Sequence, residues 1–208
     1  MRTPQTNPPA KEKLLDAAQR LMLAKGFVAT TVDEICEAAG LTKGSFFHYF
    51  ESKEDLARVA LDRFVAAKAQ GFQQAPFVKK RDPLERVYGL VDFVMQMSKA
   101  SQTVQGCLLG NFAQELSDTH PNIRKQCAQH FAQWAEGFKR DLDQAKAMYA
   151  PKEAFDTQSL AEHFIAVLEG ALILAKAKQE RGQVAEHIRH FKRYVQSLFK
   201  DDRARRKS

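Results

Sequence analysis

Three places in this chain carry side chains whose types and spacing could do chemistry. The first is 42-TKGSFFHY-49, where two short hydroxyls, a lysine and a glycine stand at the head of a short helical stretch that continues to His48 and Tyr49. Short or flexible residues let a helix end come close to phosphates and base edges. The unpaired N–H groups there, with the positive pole of the helix dipole, suit phosphate oxygens. The second is Cys107, set between Gly106 and Gly110 at the head of an apolar run. A thiol at a helix N-terminus has a lowered pKa and more thiolate, and an accessible thiolate reacts with electrophiles and oxidants. A small packing residue is the other reading of the same position. The third is His187 with His190, three apart on an expected helix but without a third ligand nearby, which is not a zinc site. Ser, His and Asp residues are scattered without the spacing of a nucleophile, a base and an orienting group, so neither catalysis nor a cofactor is expected.

The chain has 208 residues, 44% apolar and 27% charged, which is the composition of a soluble globular protein of one or two domains. No apolar run approaches the roughly 18 residues of a membrane span. The N-terminal MRTPQTNPPA lacks the apolar core of a signal peptide and reads as a flexible tail, so a cytoplasmic location is the default. Three cysteines, Cys36, Cys107 and Cys127, with no CxxC pair, argue against a disulfide framework. The net charge of +7 admits a nucleic-acid partner. Its placement weakens that inference, because residues 187–208 hold eight Lys/Arg against two Asp, whereas residues 1–53 hold seven against six. A DNA argument must therefore rest on a motif.

The elements that would position these residues are helical nearly throughout. Leu14, Leu15, Ala18, Leu21 and Met22 mark the buried face of a first helix, about Ala10–Lys25, which Gly26 ends. Thr31 with Glu34 forms a capping box for a two-turn helix closed by Gly40; Ile35 and Ala38 face inward. Thr42 caps the next helix and Ser52 a longer one carrying Leu56, Val59, Ala60, Phe64 and Val65. Further helices open at Pro83, at the QGCLLGN segment and at Pro121, and a last pair spans 156–180 and 183–200. The expectation is an all-α chain of nine helices: a tail 1–9, a DNA-binding module 10–53, a larger α-helical domain 54–200 and a basic tail 201–208.

Two short helices joined by Ala39-Gly40-Leu41, with a third in front, describe a helix-turn-helix whose second helix enters the major groove. At these residues the chain resembles the TetR/AcrR family of transcriptional repressors. The family's pattern is matched by Thr31, Ile35, Ala39-Gly40, Thr42, Gly44, Phe50, Lys53 and Leu56. Cys36 replaces the usual Ala, and Phe47 replaces the usual Tyr and so loses a hydroxyl that would reach a phosphate. The resemblance implies phosphate contacts from Thr31, Lys53 and Tyr49. It implies a groove-facing set of Thr42, Lys43, Ser45 and His48, close approach at Gly44, and core roles for Phe46 and Phe50.

Palindromic operators call for two-fold dimers. The stripes Leu160, Phe164, Val167, Ala171 and Val184, Ile188, Phe191, Val195, Leu198 are suited to a four-helix arrangement between two copies, with inward packing as the alternative. Residues 84–180 are expected to enclose a ligand cavity, with Phe112 and Trp134 among its aromatic candidates. Lys176 continues the stripe of Ile165, Leu168 and Leu172 near a helix end, which also suits simple snorkelling. The strings GCL at 106–108 and GALILAKAK at 170–178 resemble the subgroup of the N-ethylmaleimide-reductase repressor, which implies that Cys107 and Lys176 form an electrophile-responsive pair. The expected function is an inducible repressor acting as a homodimer on operator DNA. The alternative is an α-helical small-molecule-binding protein without sequence-specific DNA binding.

Overall fold

The computed structural model describes residues 9–100, 106–180 and 182–199. The basic tail 201–208, most of the N-terminal tail, and Arg181 lie outside the described residues. Among those described, the chain is all-α with nine α-helices: α1 (Ala10–Lys25), α2 (Val32–Ala39), α3 (Lys43–Tyr49), α4 (Lys53–Gln73), α5 (Pro83–Ala100), α6 (Leu108–Leu116), α7 (Pro121–Tyr149), α8 (Thr157–Lys178) and α9 (Gly182–Leu198). A short 3₁₀ helix, Pro76–Lys79, follows α4. No helix among the described residues is long and apolar enough to cross a membrane.

The chain divides into two compact units, each discontinuous in sequence. The first takes Met1–Lys68 and Cys107–Cys127; the second takes Ala69–Gly106 and Ala128–Ser208. α6 thus belongs to the unit that contains α1, α2 and α3.

In the first unit, α1 packs on α2, α3 and α6. Its apolar stripe of Leu14, Leu15, Ala18 and Met22 is at most 2% exposed. Ile35 of α2, Phe46 of α3, Leu56 and Leu61 of α4, and Leu108, Phe112 and Leu116 of α6 are wholly buried. Burying side chains of this size contributes about 1.5–3 kcal/mol each. That is what holds a helix as short as α3, since seven residues alone do not repay helix nucleation.

In the second unit, one apolar cluster joins α5, α7, α8, α9 and the 3₁₀ helix. Phe138, Phe164 and Phe191 meet in successive tilted ring contacts of 5.2 and 5.1 Å. Three polar ties pin its rim: Arg86 to Asp141 at 2.6 Å, Lys192 to Asp92 at 2.7 Å, and Thr157 to Asp143 at 2.5 Å. This cluster corrects the expected use of the α8 and α9 stripes. Leu160, Phe164, Ala171, Val184, Ile188, Phe191 and Val195 are all buried inside the unit, because α9 packs against both α8 and α5 of its own chain. The faces of α8 and α9 that remain open are different ones, Ala166, Gly170, Ile173 and Ala177 on α8 and His190 and Tyr194 on α9.

Candidate nucleic-acid interface and sensor region

The helix-turn-helix is built from local signals. Thr31 caps α2: its hydroxyl oxygen accepts the Glu34 N–H at 3.2 Å, and the Glu34 carboxylate accepts the Thr31 N–H at 2.9 Å. The Thr31 hydroxyl donates back to the same carboxylate at 3.0 Å. Glu34 also pairs with Lys25. The Lys25 ammonium, with the Thr31 groups behind it, holds the Glu34 carboxyl down at about 2. Gly40 ends α2 in the left-handed region at φ 64°, and the Leu41 N–H donates to the Cys36 carbonyl at 2.9 Å. The chain then turns straight into Thr42, whose hydroxyl oxygen accepts the Ser45 N–H at 3.1 Å and starts α3.

α3 has two faces. Phe46 and Phe50, 0% and 2% exposed, anchor it to the core. Thr42, Lys43, Gly44, Phe47, His48 and Tyr49 are exposed, and Ser45 is half-buried. Phe47, 57% exposed, rests its edge on Phe46 at 5.1 Å; His48 and Tyr49 meet edge to face at 4.7 Å. Around Gly44 the nearest atom that a Cβ would meet is the Thr42 hydroxyl oxygen, at 3.6 Å, so the helix start is bare on its outer side. The Lys43 ammonium pairs with Asp33 of α2 at 2.8 Å; that hydrogen bond raises the lysine pKa. An anion arriving here competes with one exposed, solvent-screened carboxylate for this cation.

Lys53, at the start of α4, is turned inward. Its ammonium donates to the Phe27 carbonyl at 2.9 Å and the Thr30 carbonyl at 2.8 Å, and lies 4.2 Å from the centre of the Phe27 ring. Burial pulls its pKa down, while the Glu115 and Glu34 charges oppose that. Two of its three donors are committed, which leaves one for a phosphate. Thr31 stands exposed at the α2 cap with its hydroxyl engaged by Glu34.

The expected sensor residues fall in both units. Cys107 is the N-cap of α6, half-buried, in the first unit. Phe112, four residues into that element, is wholly buried and meets Phe27 edge-on at 6.1 Å. Trp134 and Lys176 are in the second unit: Trp134 packs partly buried against the apolar cluster, and Lys176 is exposed in the last turn of α8. The other two cysteines are unlike Cys107. Cys36 and Cys127 are 4% and 2% exposed, and burial pushes both thiols up, Cys127 to about 11.

Two features were not read from the sequence. The Glu115 carboxylate on α6 accepts the N–H groups of Phe27 and Val28, each at 2.8 Å. The partners are 88 and 87 residues away, and no local pattern marks them. The second is the position of an open groove of about 220 Å³ within the second unit, lined by Ala128, Phe131, Ala132 and Ala135 of α7 and Glu162 and Ile165 of α8; it falls inside the 84–180 span expected to hold a cavity, but neither Phe112 nor Trp134 lines it. The spacing of Ala128, Ala132 and Ala135 at i, i+4, i+7 is the signal that could have located it.

Comparison with known proteins agrees with this architecture. A family model described as "Bacterial regulatory proteins, tetR family" matches residues 14–60, and one described as "Tetracyclin repressor-like, C-terminal domain" matches residues 83–191. The chain is 25% identical over 173 residues to the HTH-type transcriptional repressor DhaR of Mycobacterium sp. (strain GP1), covering 83% of this chain and 85% of that one. It is 28% identical over 114 residues to the HTH-type transcriptional repressor NemR of Escherichia coli (strain K12), covering 55% and 57%. The crystal structure of a regulatory protein TetR from Rhodobacter sphaeroides superposes with a TM-score of 0.78 at 27% identity, over 88% of this chain and 97% of that one. With its reading module and its C-terminal region both matched, this chain belongs to the TetR family and is a helix-turn-helix transcriptional regulator, not an enzyme.

Proposed function

We propose that the protein is an inducible repressor that binds a palindromic operator as a homodimer. The carrying observation is α3 itself. It is a capped helix anchored by Phe46 and Phe50 that turns Thr42, Lys43, Gly44, Phe47, His48 and Tyr49 outward together. Such a helix enters a major groove with its N-terminal residues at the base edges. Lys43 and Tyr49 supply phosphate or base hydrogen bonds, Gly44 gives close approach, and Phe47 offers an apolar contact. Thr31 and the remaining donor of Lys53 reach the flanking backbone.

The second copy docks on the open faces of α8 and α9. Ile173 is 47% and Tyr194 46% exposed, and a side chain added at Gly170 would meet nothing within 4 Å. That apolar, glycine-notched face is what a close helix pair between subunits requires. Residues 10–53 carry DNA recognition, and residues 54–200 carry dimerisation and the inducer site. The inducer acts either as a small molecule held in the C-terminal domain or by modification of Cys107.

Footprinting on the DNA upstream of the protein's own gene tests the reading. A protected palindrome that survives competitor DNA at moderate salt supports it. Binding that is blind to sequence and vanishes with added salt would instead leave a helical ligand-binding protein without an operator.

A further inference from the structure

Of the 15 phenylalanines in the chain, Phe47 alone is exposed, at 57%; the others are buried or half-buried. An apolar ring left in water forgoes the free energy that burial would recover. Nor does it belong to a loose segment. Phe47 lies in α3, between Phe46 and Phe50, which are 0% and 2% exposed. Its ring meets the Phe46 ring edge to face, at 77° and 5.1 Å between centres, so a buried ring supports the exposed one.

The surroundings of the ring decide what fits over it. Lys43, Gly44, Phe47 and His48 fall at i, i+1, i+4 and i+5, on one outer stripe of α3. A helical side chain leans over the turn before its own Cα, which for Phe47 is the turn of Lys43 and Gly44. Gly44 has no side chain, and a Cβ there would meet nothing closer than the Thr42 hydroxyl oxygen at 3.6 Å. The ring is therefore open on that side, in a stripe that also carries an ammonium and an imidazole. Its complement is a polar, anionic surface with one apolar group set into it. The DNA major groove is such a surface, and the apolar group on its base edges is the C5 methyl of thymine. Phe47 has no hydroxyl to give a phosphate, so the methyl is the group that its chemistry matches.

We propose that Phe47 is a specificity-determining residue that packs its ring on one thymine methyl in each operator half-site. This deepens the proposal that α3 reads DNA and rests on it. The base at that position is then recognised by its methyl group, so a cytosine methylated at C5 is accepted there better than plain cytosine. One buried methyl changes Kd about fourfold, and a symmetric pair about fifteenfold.

The test is fluorescence anisotropy with the full-length protein and its footprinted operator, for the parent, Phe47→Ala and Phe47→Leu. Each thymine of the half-sites is replaced in both halves, one position at a time, by deoxyuridine, which lacks only the methyl. The parent is expected to bind about fifteenfold more weakly at one position, while Phe47→Ala is indifferent to the replacement there. At that position a C·G pair methylated at the cytosine C5 is expected to bind the parent more tightly than the unmethylated pair, by a similar factor, and Phe47→Ala equally. Should Phe47→Ala bind too weakly to titrate, Phe47→Leu takes its place: a smaller loss on deoxyuridine than the parent's supports the contact, and an equal loss overturns it. A scan with no sensitive thymine also overturns it. So does a loss that persists in Phe47→Ala, which gives the methyl to another residue. A specific operator indifferent to deoxyuridine refutes the role of Phe47 alone. A parent that protects no specific operator refutes the DNA reading, and the role of Phe47 falls with it.

Discussion

Gly26→Ala puts the physics of the α1–α2 segment to a numerical test. Gly26 sits at φ 87°, ψ 170°, a region that only glycine enters freely, and forcing alanine there costs about 2 kcal/mol. The added Cβ would also stand 2.8 Å from Glu115 Oε2 and 3.0 Å from Oε1. Those atoms end a flexible side chain, so the overlap itself is relieved cheaply. The relief, however, takes the carboxylate off the Phe27 and Val28 amides. One of these is exposed, so the pair is worth about 1 kcal/mol after screening by water. The expected total is about 3 kcal/mol, which speeds amide exchange through unit opening by about 150-fold. Trp134 is the only tryptophan and belongs to the second unit, so its fluorescence does not report this loss. Native-state exchange at the Leu14, Leu15 and Ile35 amides does. The decisive comparison is the same substitution in a Glu115→Ala background. There it is expected to cost about 2 kcal/mol, strain alone, which leaves a coupling of about 1 kcal/mol. A cost below about 0.5 kcal/mol in the parent, or costs equal in both backgrounds, would refute the reasoning.

Gly89→Ala in α5 should destabilise the second unit even though alanine is the better helix former by about 1 kcal/mol. Its Cβ would lie 2.4 Å from the Phe77 Cβ, and the overpacking outweighs propensity to give a net loss of about 2 kcal/mol in a urea titration followed by Trp134 fluorescence. Adding Phe77→Ala should not rescue it, because alanine keeps that Cβ. Alkylation at pH 8 with mass-spectrometric readout should label Cys107 at least tenfold faster than Cys36 and Cys127, whose burial keeps them protonated. Cys127 also sets an alkaline limit. Its folded pKa of about 11 lies above the unfolded 9.0, so its contribution to stability is present below pH 9 and lost as pH rises toward 11. Cys127→Ala should flatten stability over that window. Gly170→Glu has room for its side chain within one chain, so it should leave thermal unfolding of the protomer intact while shifting sedimentation from dimer to monomer. An unchanged dimer would move the interface elsewhere.

The all-α class and the helix plan were legible because their signals are local. Thr31 with Glu34, Gly40, Thr42 and the buried period of α1 each specify structure within four residues of themselves, and the caps appear with the hydrogen bonds their chemistry demands. The 3₁₀ helix at Pro76–Lys79 was missed, since four residues carry no period. The stripes on α8 and α9 show the limit of periodicity. It states that Leu160, Phe164, Ile188 and Phe191 are covered, but not whether α5 of the same chain or a second copy covers them. Lys53 and Glu115 show another. Their direction is decided by backbone groups of Phe27, Val28 and Thr30, which only the folded chain brings near. For Cys107 the sequence located the helix start, and the structure makes it the N-cap of α6.

The central claim is that the N-terminal end of α3 reads DNA. It is tested most directly by fluorescence anisotropy with the footprinted operator and a scrambled duplex, at fixed salt, for the parent and for Thr42→Ala/Lys43→Ala. Loss of the cap alone destabilises by about 1 kcal/mol, so the variant should stay folded enough to compare, with circular dichroism as the check. The account predicts at least a tenfold weaker operator Kd, with the scrambled duplex less affected and the salt slope smaller by about one for the lost cation. An operator Kd equal to the parent's would contradict it.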